Sequence, residues 1–335
     1  MSRGCWLPRN LAIIDPSMLS ETFVFVPSYN HAPFIEQCLR SIFVQSKSPR
    51  KLLVIDDGSK DDSPAIIEKT LKDCPFDSEL IVRENRGLCR TLNEGFALSG
   101  GDYFAYVGSD DLWLPSFLEA RSALLEERPM AVLAYGHAYL VNDENEVYDS
   151  TADHVDSWAN YSDGDARSML LTGSSPISST VMYRRSALEN RSWNQDSRLE
   201  DYEMYLRLVS DGEFAFDPKV LSAWRLHGYN TSSDMSMMLS EVVETQERFF
   251  PALGTSRKAL NSIQAKTKFR YARIMLQQGK KKAALGLLAA NWRRGGTPAE
   301  IAKALVLLTL PVSANMAYQK YKRNRKTRRF PVLEI

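Results

Sequence analysis

The sequence predicts an α/β fold in which a mostly parallel β-sheet is flanked by helices and followed by a helical C-terminal region. Between residues 22 and 138, short apolar runs alternate with segments whose apolar side chains recur at helical spacing. Strands that are separated by helices form parallel sheets covered on both faces. Hydrophobic residues make up 44% of the 335 residues and charged residues 25%, which is ordinary for a globular protein with a large core.

Each predicted element has its own signal. A β-rich run at 22–26 ends at Pro27, and apolar residues then recur at helical spacing from 34 to 45. Further strands are expected at 52–55, 80–82 and 103–107, with a fifth starting at 131, and further helices at 63–71, 88–98 and 115–127. Pro64 and Pro115 mark the starts of two of these helices, because proline is tolerated in a first turn.

Polar segments follow three of the predicted strands. They are Pro27-Ser28-Tyr29-Asn30, Asp56-Asp57-Gly58-Ser59 and Ser109-Asp110-Asp111. In sheets of this type, ligands bind beyond the carboxyl ends of the strands. We therefore expect the three segments to share one edge of the sheet and to form the functional site.

Asp110 and Asp111 are the most informative residues of that edge. Asp is depleted in strands, and two adjacent carboxylates at a strand end repel each other unless a positive charge lies between them. A hard divalent cation, which takes oxygen ligands and bridges to diphosphates, is the usual solution. The alternative is a solvated loop, or a helix N-cap ahead of Pro115.

Asp57 follows the second strand, where a carboxylate can accept a hydrogen bond from a base. Uracil, thymine and guanine carry a suitable ring N–H, whereas the corresponding nitrogen of cytosine is an acceptor. An Asx-type turn explains Asp57 equally well. Arg83, Arg86 and Arg90 near the third strand either face the ligand or lie on the surface. The sequence has no Walker lysine motif and no Gly-x-Gly-x-x-Gly, so ATPases and dinucleotide enzymes lack their phosphate-binding loops here.

Seven short segments follow one another in an order that is typical of one enzyme family. They are Val26-Pro27-Ser28-Tyr29-Asn30, Val54-Ile55-Asp56-Asp57-Gly58-Ser59, Asn85-Arg86-Gly87 with Leu92-Asn93-Glu94-Gly95, Gly100-Gly101-Asp102-Tyr103, Ser109-Asp110-Asp111-Leu112-Trp113-Leu114-Pro115, Leu199-Glu200-Asp201-Tyr202 and Trp224-Arg225-Leu226-His227-Gly228. Through these segments the chain resembles, over about 21–233, the family 2 glycosyltransferases of the GT-A fold, of the bacterial polysaccharide and cell-envelope type.

The resemblance implies transfer of a sugar, with inversion at the anomeric carbon, from a nucleotide diphosphosugar to an acceptor hydroxyl. A UDP-sugar is the expected donor, and a saccharide or lipid-linked saccharide is the expected acceptor. By the same resemblance, Asp57 would read the base, and Pro27, Tyr29, Asn30 and Arg86 would bind the nucleotide sugar.

A metal site and a catalytic base are also implied by the resemblance. Asp110 and Asp111 would share the ribose and a Mn²⁺ or Mg²⁺ ion on the diphosphate, with His227 completing the metal shell. Many family members have Asp where this chain has Gly108, which leaves the division of roles between Asp110 and Asp111 open. Asp201 would be the general base.

The residues themselves also allow other roles. Glu200 and Asp201 suit the first turn of a helix, where acids stabilise the N-terminus, and Glu200 is expected to be structural. His227 suits a hydrogen-bonded loop histidine. Two other classes of protein stay open: a nucleotidyltransferase, whose Gly-rich phosphate loop is missing after the first strand, and a non-catalytic nucleotide-sugar-binding or scaffold protein, which needs no positioned base.

Acceptor contacts are expected from the segment between 139 and 198. Its run of small polar residues at 172–179 either lines the acceptor side or is an ordinary loop. Trp158, Trp193 and Trp224 could stack on sugar rings, although buried core positions are more typical of tryptophan.

Beyond residue 233 the pattern predicts helices, with a hairpin interrupted at Gly279 and an apolar helix at 299–310. The chain is thus divided into an N-terminal extension (1–20), a catalytic domain (21–233) and a C-terminal region (234–335). Seven cations crowd the last sixteen residues: Lys320, Lys322, Arg323, Arg325, Lys326, Arg328 and Arg329. A basic tail beside an apolar helix predicts attachment to an anionic membrane surface. The alternatives are a solvated tail and a helix packed on the catalytic domain.

Composition predicts a cytoplasmic protein, peripheral on the cytoplasmic face of the inner membrane if the tail binds lipid. Four scattered cysteines give neither a zinc spacing nor a disulfide framework. The first twenty residues hold no long apolar core of a signal peptide, and the longest apolar run, 304–312, is too short to span a bilayer. The net charge of +1 argues against nucleic acid as a partner.

Overall fold

The computed structural model describes residues 21–227 and 234–327, together with Phe330 and Leu333. The expected N-terminal extension, 1–20, lies outside the described residues. Gly228 of the seventh segment and the tail cations Arg328 and Arg329 lie outside them as well.

The first half of the chain has the predicted alternation of strands and helices. Its elements are β1 (Thr22–Ser28), α1 (Ile35–Phe43), β2 (Lys51–Asp56), α2 (Ser63–Leu71), β3 (Ser78–Val82), α3 (Leu88–Ala97), β4 (Tyr103–Tyr106), β5 (Leu112–Trp113), α4 (Phe117–Glu127) and β6 (Ala131–Val141). Each strand and helix expected here is present, with ends that differ by a few residues. The two-residue strand β5 was not predicted.

The sheet that these elements build is mixed. The second half of the chain adds β7 (Val147–Ser150), α5 (Arg167–Thr172), β8 (Met182–Arg184), α6 (Arg185–Leu188), α7 (Glu200–Leu208) and β9 (Glu213–Arg225). The described strands form one sheet in the order β3-β2-β1-β4-β8-β6-β9-β5, and β7 pairs with β6. β1 is parallel to β2 and β4, and β2 to β3, as expected. β8 is antiparallel to β4 and β6, and β5 is antiparallel to β9.

β1, β2 and β4 are buried on both faces, which explains their nearly continuous apolar sequences, whereas the edge strand β3 is only partly buried. Along β1, Phe23 and Phe25 pack into the core on one face, while Val24 and Val26 pack into the core on the other. Helix α3 lies against the first face at Gly95, where an added Cβ would stand 2.6 Å from the Phe25 ring. A glycine at this position therefore sets how closely α3 approaches β1.

The described residues after β9 are helical, as predicted. They form α8 (Met235–Phe249), α9 (Arg257–Gln277), α10 (Lys281–Gly295), α11 (Pro298–Thr309) and α12 (Val312–Thr327). The expected hairpin is α9 and α10 with Gly279 between them, and the expected apolar helix is α11. α9, α10 and α11 share an apolar core of Phe269, Ala272, Met275, Leu276, Ala284, Leu288 and Ala304. None of the described helices is both long enough and apolar enough to cross a bilayer.

The last described residues pack on the sheet. Phe330 meets Tyr139 of β6 with 6.0 Å between the ring centroids, and Leu333 joins the same apolar cluster. These two residues after α12 therefore contact the domain that contains the sheet. Lys320 and Arg325 on α12 are nevertheless exposed, so cations of the tail remain on the surface.

We predict that Gly95→Ala destabilises the protein, because its Cβ must displace either the Phe25 ring or α3. Overpacking of this kind costs about 1–3 kcal/mol, which a urea unfolding curve measures. Gly286→Ala on α10 is the matched control. It also lies in a helix, but an added Cβ there meets nothing within 4 Å, so stability should stay the same or rise slightly. Equal stability of the two variants would contradict the close packing of α3 on β1.

Candidate functional site

The loops after β1 and β2 interlock at the carboxyl edge of the sheet. Asn30 has a left-handed backbone conformation (φ 54°), and its side-chain oxygen accepts a hydrogen bond from the Lys60 N–H at 2.7 Å. Asp56 is buried and accepts hydrogen bonds from the Ser28 hydroxyl at 3.2 Å and the Ser59 N–H at 2.8 Å. Of the predicted donor-binding residues, Pro27, Tyr29 and Asn30 all lie on this edge, and the Tyr29 side chain is 45% exposed.

Asp57 is held by the segment that follows β3. Its two carboxylate oxygens accept the backbone N–H groups of Arg86 and Gly87, each at 2.8 Å, and it forms an ion pair with Arg83. Gly58 makes this approach feasible, since an added Cβ would lie 2.6 Å from a backbone nitrogen, and φ is +79°. Arg83 is therefore held by Asp57, whereas the Arg86 side chain is 57% exposed and lies 3.8 Å from a carboxylate oxygen of Glu94.

Asp110 lies in a cluster with two histidines. His227 Nε2 is 3.0 Å from one carboxylate oxygen of Asp110, and His31 Nδ1 is 3.8 Å from the other. One ligand atom of each residue lies within 4.8 Å of the other two, an arrangement that could hold a metal ion. Burial opposes ionisation of Asp110, yet the hydrogen bond with His227 and the charge of His31 hold its pKa below the ordinary value. Burial lowers the pKa of His31.

His31 was not predicted from the sequence as a site residue. Its Nδ1 is 2.7 Å from the hydroxyl of Ser109, the residue before Asp110. The signal that could have found it is its position directly after Asn30, at the carboxyl end of β1. A histidine there lies at the same edge as the acidic pair after β4.

Asp111 is not part of this group of possible ligands. It is 5% exposed, and one carboxylate oxygen accepts the Arg225 N–H at 2.8 Å. Burial raises the pKa of Asp111 well above its ordinary value, and repulsion from Asp110 adds to the rise. The structure thus brings Asp110 and His227 together but does not include Asp111 in the same ligand cluster.

Arg225 fixes the loop that carries both aspartates. Its buried Nε donates to the Asp110 carbonyl at 2.8 Å, and its other guanidinium nitrogens donate to the Asn142 carbonyl at 2.6 Å and the Asn145 side chain at 2.7 Å. The turn between β6 and β7 is thereby connected to the loop that carries Asp110. The sequence placed Arg225 in the segment that contains His227 but gave it no role, because nothing in the spacing indicates the carbonyls it would contact.

Glu200 and Asp201 begin α7 beside a stack of buried tyrosines. The rings of Tyr106 and Tyr183 lie 6.3 Å apart, nearly parallel, and Tyr205 stacks on Tyr183. Burial raises the pKa of Glu200 to about 8, with repulsion from Asp201 adding to the rise, and raises the pKa of Asp201 to about 6. Burial raises the pKa of the Tyr106 hydroxyl, and the charges of Glu200 and Asp201 add to the rise. Tyr106 lies on β4, shortly before Asp110. These values suit proton transfer near neutral pH.

The segment expected to contact the acceptor is partly structural. Trp193 is buried in the core, as its residue type favoured, and its backbone pairs with the Asn93 side chain. Trp158 is half-buried and lies 5.3 Å from the His154 ring, between centroids. At the end of the 172–179 run, the carbonyl of Ser179 accepts a hydrogen bond from the Trp113 indole at 2.7 Å. This end of the run therefore supports β5, which follows Asp111.

Comparison with known families decides the class of protein. Residues 23–192 match the model of the family described as Glycosyl transferase family 2. The chain belongs to this family. The prediction drawn from the seven segments is therefore confirmed: the protein is a family 2 glycosyltransferase.

Curated relatives carry the same description. An uncharacterized glycosyltransferase of Nostoc sp. is 28% identical over 170 residues, which cover 50% of this chain and 51% of that protein. Chondroitin synthase of Escherichia coli is 27% identical over 216 residues, covering 62% of this chain and 29% of the relative. The chain thus matches about half the length of the first relative and a smaller part of the second.

Solved structures share the fold of this glycosyltransferase. S. aureus TarS, residues 1–349, in complex with UDP-GlcNAc has a TM-score of 0.59 at 16% identity, covering 92% of this chain and 89% of that chain. The mannosyltransferase PcManGT of Pyrobaculum calidifontis, in complex with GDP-Man and Mn²⁺, has a TM-score of 0.59 at 19% identity, covering 93% of this chain and 85% of that chain. The GT-A fold expected from the sequence is confirmed.

We predict that Arg225→Met destabilises the fold by about 2–4 kcal/mol, because two buried carbonyls lose a charged donor. Urea unfolding monitored by tryptophan fluorescence measures the change. Arg40→Met on α1 is the control, since the Arg40 side chain is 43% exposed and pairs only with surface acids, and its loss should cost about 0.5 kcal/mol or less. A loss at Arg225 no larger than at Arg40 would show that the loop does not depend on the guanidinium.

Proposed function

We propose that this glycosyltransferase moves a sugar from a nucleotide diphosphosugar, with UDP as the expected carrier, to an acceptor hydroxyl with inversion. The observation that carries the proposal is that the pKa values of two acidic groups, Asp110 and Asp201, are shifted in opposite directions. Asp110 is kept ionised next to two histidines, whereas Asp201 has a raised pKa suited to a base. Relatives in the same fold support it, since TarS binds UDP-GlcNAc and PcManGT binds GDP-Man.

The donor site that we propose is formed by the interlocked loops. Asp57 would accept the ring N–H of the base on the oxygen that accepts the Gly87 N–H, because the other oxygen already accepts the Arg86 N–H and pairs with Arg83. Tyr29 and the exposed Arg86 side chain would close over the nucleotide. Pro27 and Asn30 would shape the loop rather than contact the base directly. A ring N–H favours uracil, thymine or guanine over cytosine, and among these the family resemblance makes UDP the expected carrier.

For the metal, the donor set fits a divalent cation. Asp110, Asp111 and His227 are the ligands that the resemblance predicted. Of these, Asp110 and His227 lie in one cluster, and we infer that His31 rather than Asp111 is the third ligand, because its ring lies within reach of both. One carboxylate and two imidazoles suit Mn²⁺ better than Mg²⁺, which prefers an all-oxygen shell. When bound, the ion would neutralise the charge that develops on the departing diphosphate. PcManGT, which has the same fold, contains Mn²⁺.

In the transfer step, the acceptor hydroxyl oxygen forms a bond to the anomeric carbon while the bond from that carbon to the diphosphate oxygen breaks. The hydroxyl proton passes to a carboxylate oxygen of Asp201, and the nucleoside diphosphate leaves with the electron pair. Attack from the face opposite the leaving group inverts the anomeric carbon. The raised pKa of Asp201 strengthens it as a proton acceptor.

The acceptor that we propose is a saccharide or lipid-linked saccharide of cell-surface polysaccharide synthesis. The similarity to chondroitin synthase supports a polysaccharide role. The enzyme would work in the cytoplasm, peripherally on the inner membrane, where lipid-linked acceptors are presented. Release of UDP from a panel of UDP-sugars, with and without saccharide acceptors, tests the proposal as a whole. Donor binding without any release of UDP would favour the non-catalytic alternative.

We predict that Asp110→Asn weakens Mn²⁺ binding at least about tenfold in the presence of UDP, as expected for loss of a ligand. Asp111→Asn should bind Mn²⁺ within a few-fold of the native protein, because an amide oxygen can still accept the Arg225 N–H. Electron paramagnetic resonance of free and bound Mn²⁺ measures both variants. EDTA should abolish transfer, and Mn²⁺ should restore it. The reverse order of the two variants would assign the metal to Asp111.

A second prediction concerns the base. Transfer should fall as the pH drops below about 6, since Asp201 must be unprotonated to accept a proton and its raised pKa places that change in the measurable range. Asp201→Asn should lower kcat by about 10²–10⁴-fold and leave donor affinity within a few-fold. Glu200→Gln is the control, and it should retain most of the activity. A near-native rate for Asp201→Asn with a large loss for Glu200→Gln would move the base to Glu200.

A further inference from the structure

The turn between α11 and α12 exposes a cluster of apolar side chains. Five of them have exposed fractions between 36% and 59%, and we call them the α11–α12 tip: Leu305, Val306, Leu310, Val312 and Met316. Single exposed apolar residues are common on soluble proteins, but a cluster on consecutive turns of two helices marks an interaction site.

The two helices of the tip are fixed by contacts with α9 and α10. On the inner side of the same helices, Ala304 is buried in the core that α11 shares with α9 and α10. The Asn315 amide donates hydrogen bonds to the carbonyls of Leu276 and Gln277 at the end of α9, at 3.0 and 2.9 Å. The exposed side chains therefore belong to a docked helix pair with a fixed outward face.

Part of the backbone at the turn is also satisfied. Lys281 Nζ donates to the Leu308 carbonyl at 2.7 Å and also to the Leu310 carbonyl. Each carbonyl that is paired in this way lowers the cost of placing the apolar surface in a lipid interface.

Both helices of the tip carry exposed cations. Lys303 lies on α11, two residues before Leu305, and Lys320 and Arg325 lie further along α12. Glu300 is the only acidic residue in the sequence from 296 to 327, and it is occupied by the Thr297 capping box and by Arg273. Exposed Tyr318 and Tyr321 add amphipathic rings of the type that lie at membrane interfaces.

We propose that the α11–α12 tip docks the protein on an anionic lipid bilayer, with its apolar side chains in the interface and its cations on lipid head groups. Cations flanking an apolar patch complement an anionic membrane, whereas a second copy of this chain would bring like charges together. The inference deepens the peripheral location given in the proposed function, but it does not depend on the transfer chemistry.

The test uses the full chain and sedimentation with vesicles of phosphatidylcholine alone or with 30% phosphatidylglycerol. The native protein should bind the anionic vesicles at 0.1 M NaCl and bind less as salt rises, because the Debye length shortens from about 10 Å to about 3 Å at 1 M. The double substitution Leu305→Glu with Val306→Glu should lower the partition coefficient at least tenfold. Lys303→Glu with Lys320→Glu should lower it and weaken its dependence on salt.

Met130→Glu is the matched control. Met130 is 71% exposed but lies between α4 and β6, away from the tip, so vesicle binding should be unchanged. Thermal unfolding and donor hydrolysis should be the same in all variants, which excludes misfolding as the cause of lost binding. Native protein that ignores anionic vesicles, or tip variants that bind as well as the native protein, would overturn the proposal. So would a concentration-dependent dimer that the tip substitutions dissociate without any binding to vesicles. Loss of transfer activity alone would bear on the proposed function and not on the tip.

Discussion

The parallel register of β1 between β2 and β4 determines where the chemistry of this protein can take place. Ser28 pairs with Asp56, and Phe25 pairs with Tyr106, so the loops after three strands leave the sheet side by side. Acidic groups then gather at one edge, where their charges repel. The protein offsets this repulsion with a separate donor for each group, such as the backbone N–H groups at Asp57 and the imidazole of His227 at Asp110.

Those donors separate the acidic groups into two kinds of environment. Asp110 is buried, but the hydrogen bond with His227 favours its charged form and lowers its pKa. Glu200 and Asp201 lie beside tyrosine rings, and burial raises the pKa of both. Carboxyl groups whose pKa values are pushed in opposite directions are the usual basis for assigning different chemical roles on one site. A ligand for a cation needs its charge at all times, and a base needs a proton affinity close to the working pH.

The parts of the fold that the sequence predicted are those in which one signal decides the structure. β1, β2 and β4 are largely apolar on both faces, and helices separate β1 to β4, so their parallel pairing follows from the pattern alone. β5 has two residues and β9 contains Pro218, and neither gives a strand signal that could specify antiparallel pairing. His31 and Arg225 escaped assignment for a related reason. Their partners lie more than seventy residues away along the chain, and no local spacing encodes such contacts.

The C-terminal helices link the proposed membrane face to the candidate site through packing. α12 starts at the α11–α12 tip, and Phe330 and Leu333 after it pack on the cluster that contains Leu112, Val141 and Ala223. Leu112 directly follows Asp111, and Ala223 lies two residues before Arg225. The end of the chain therefore supports the strands next to the loop that contains Asp110 and Asp111. Removing the basic tail would therefore take away packing beneath the site together with the cations. Substitutions on the exposed face of α11 and α12 separate these two roles, because that face makes no contribution to the cluster under Asp111.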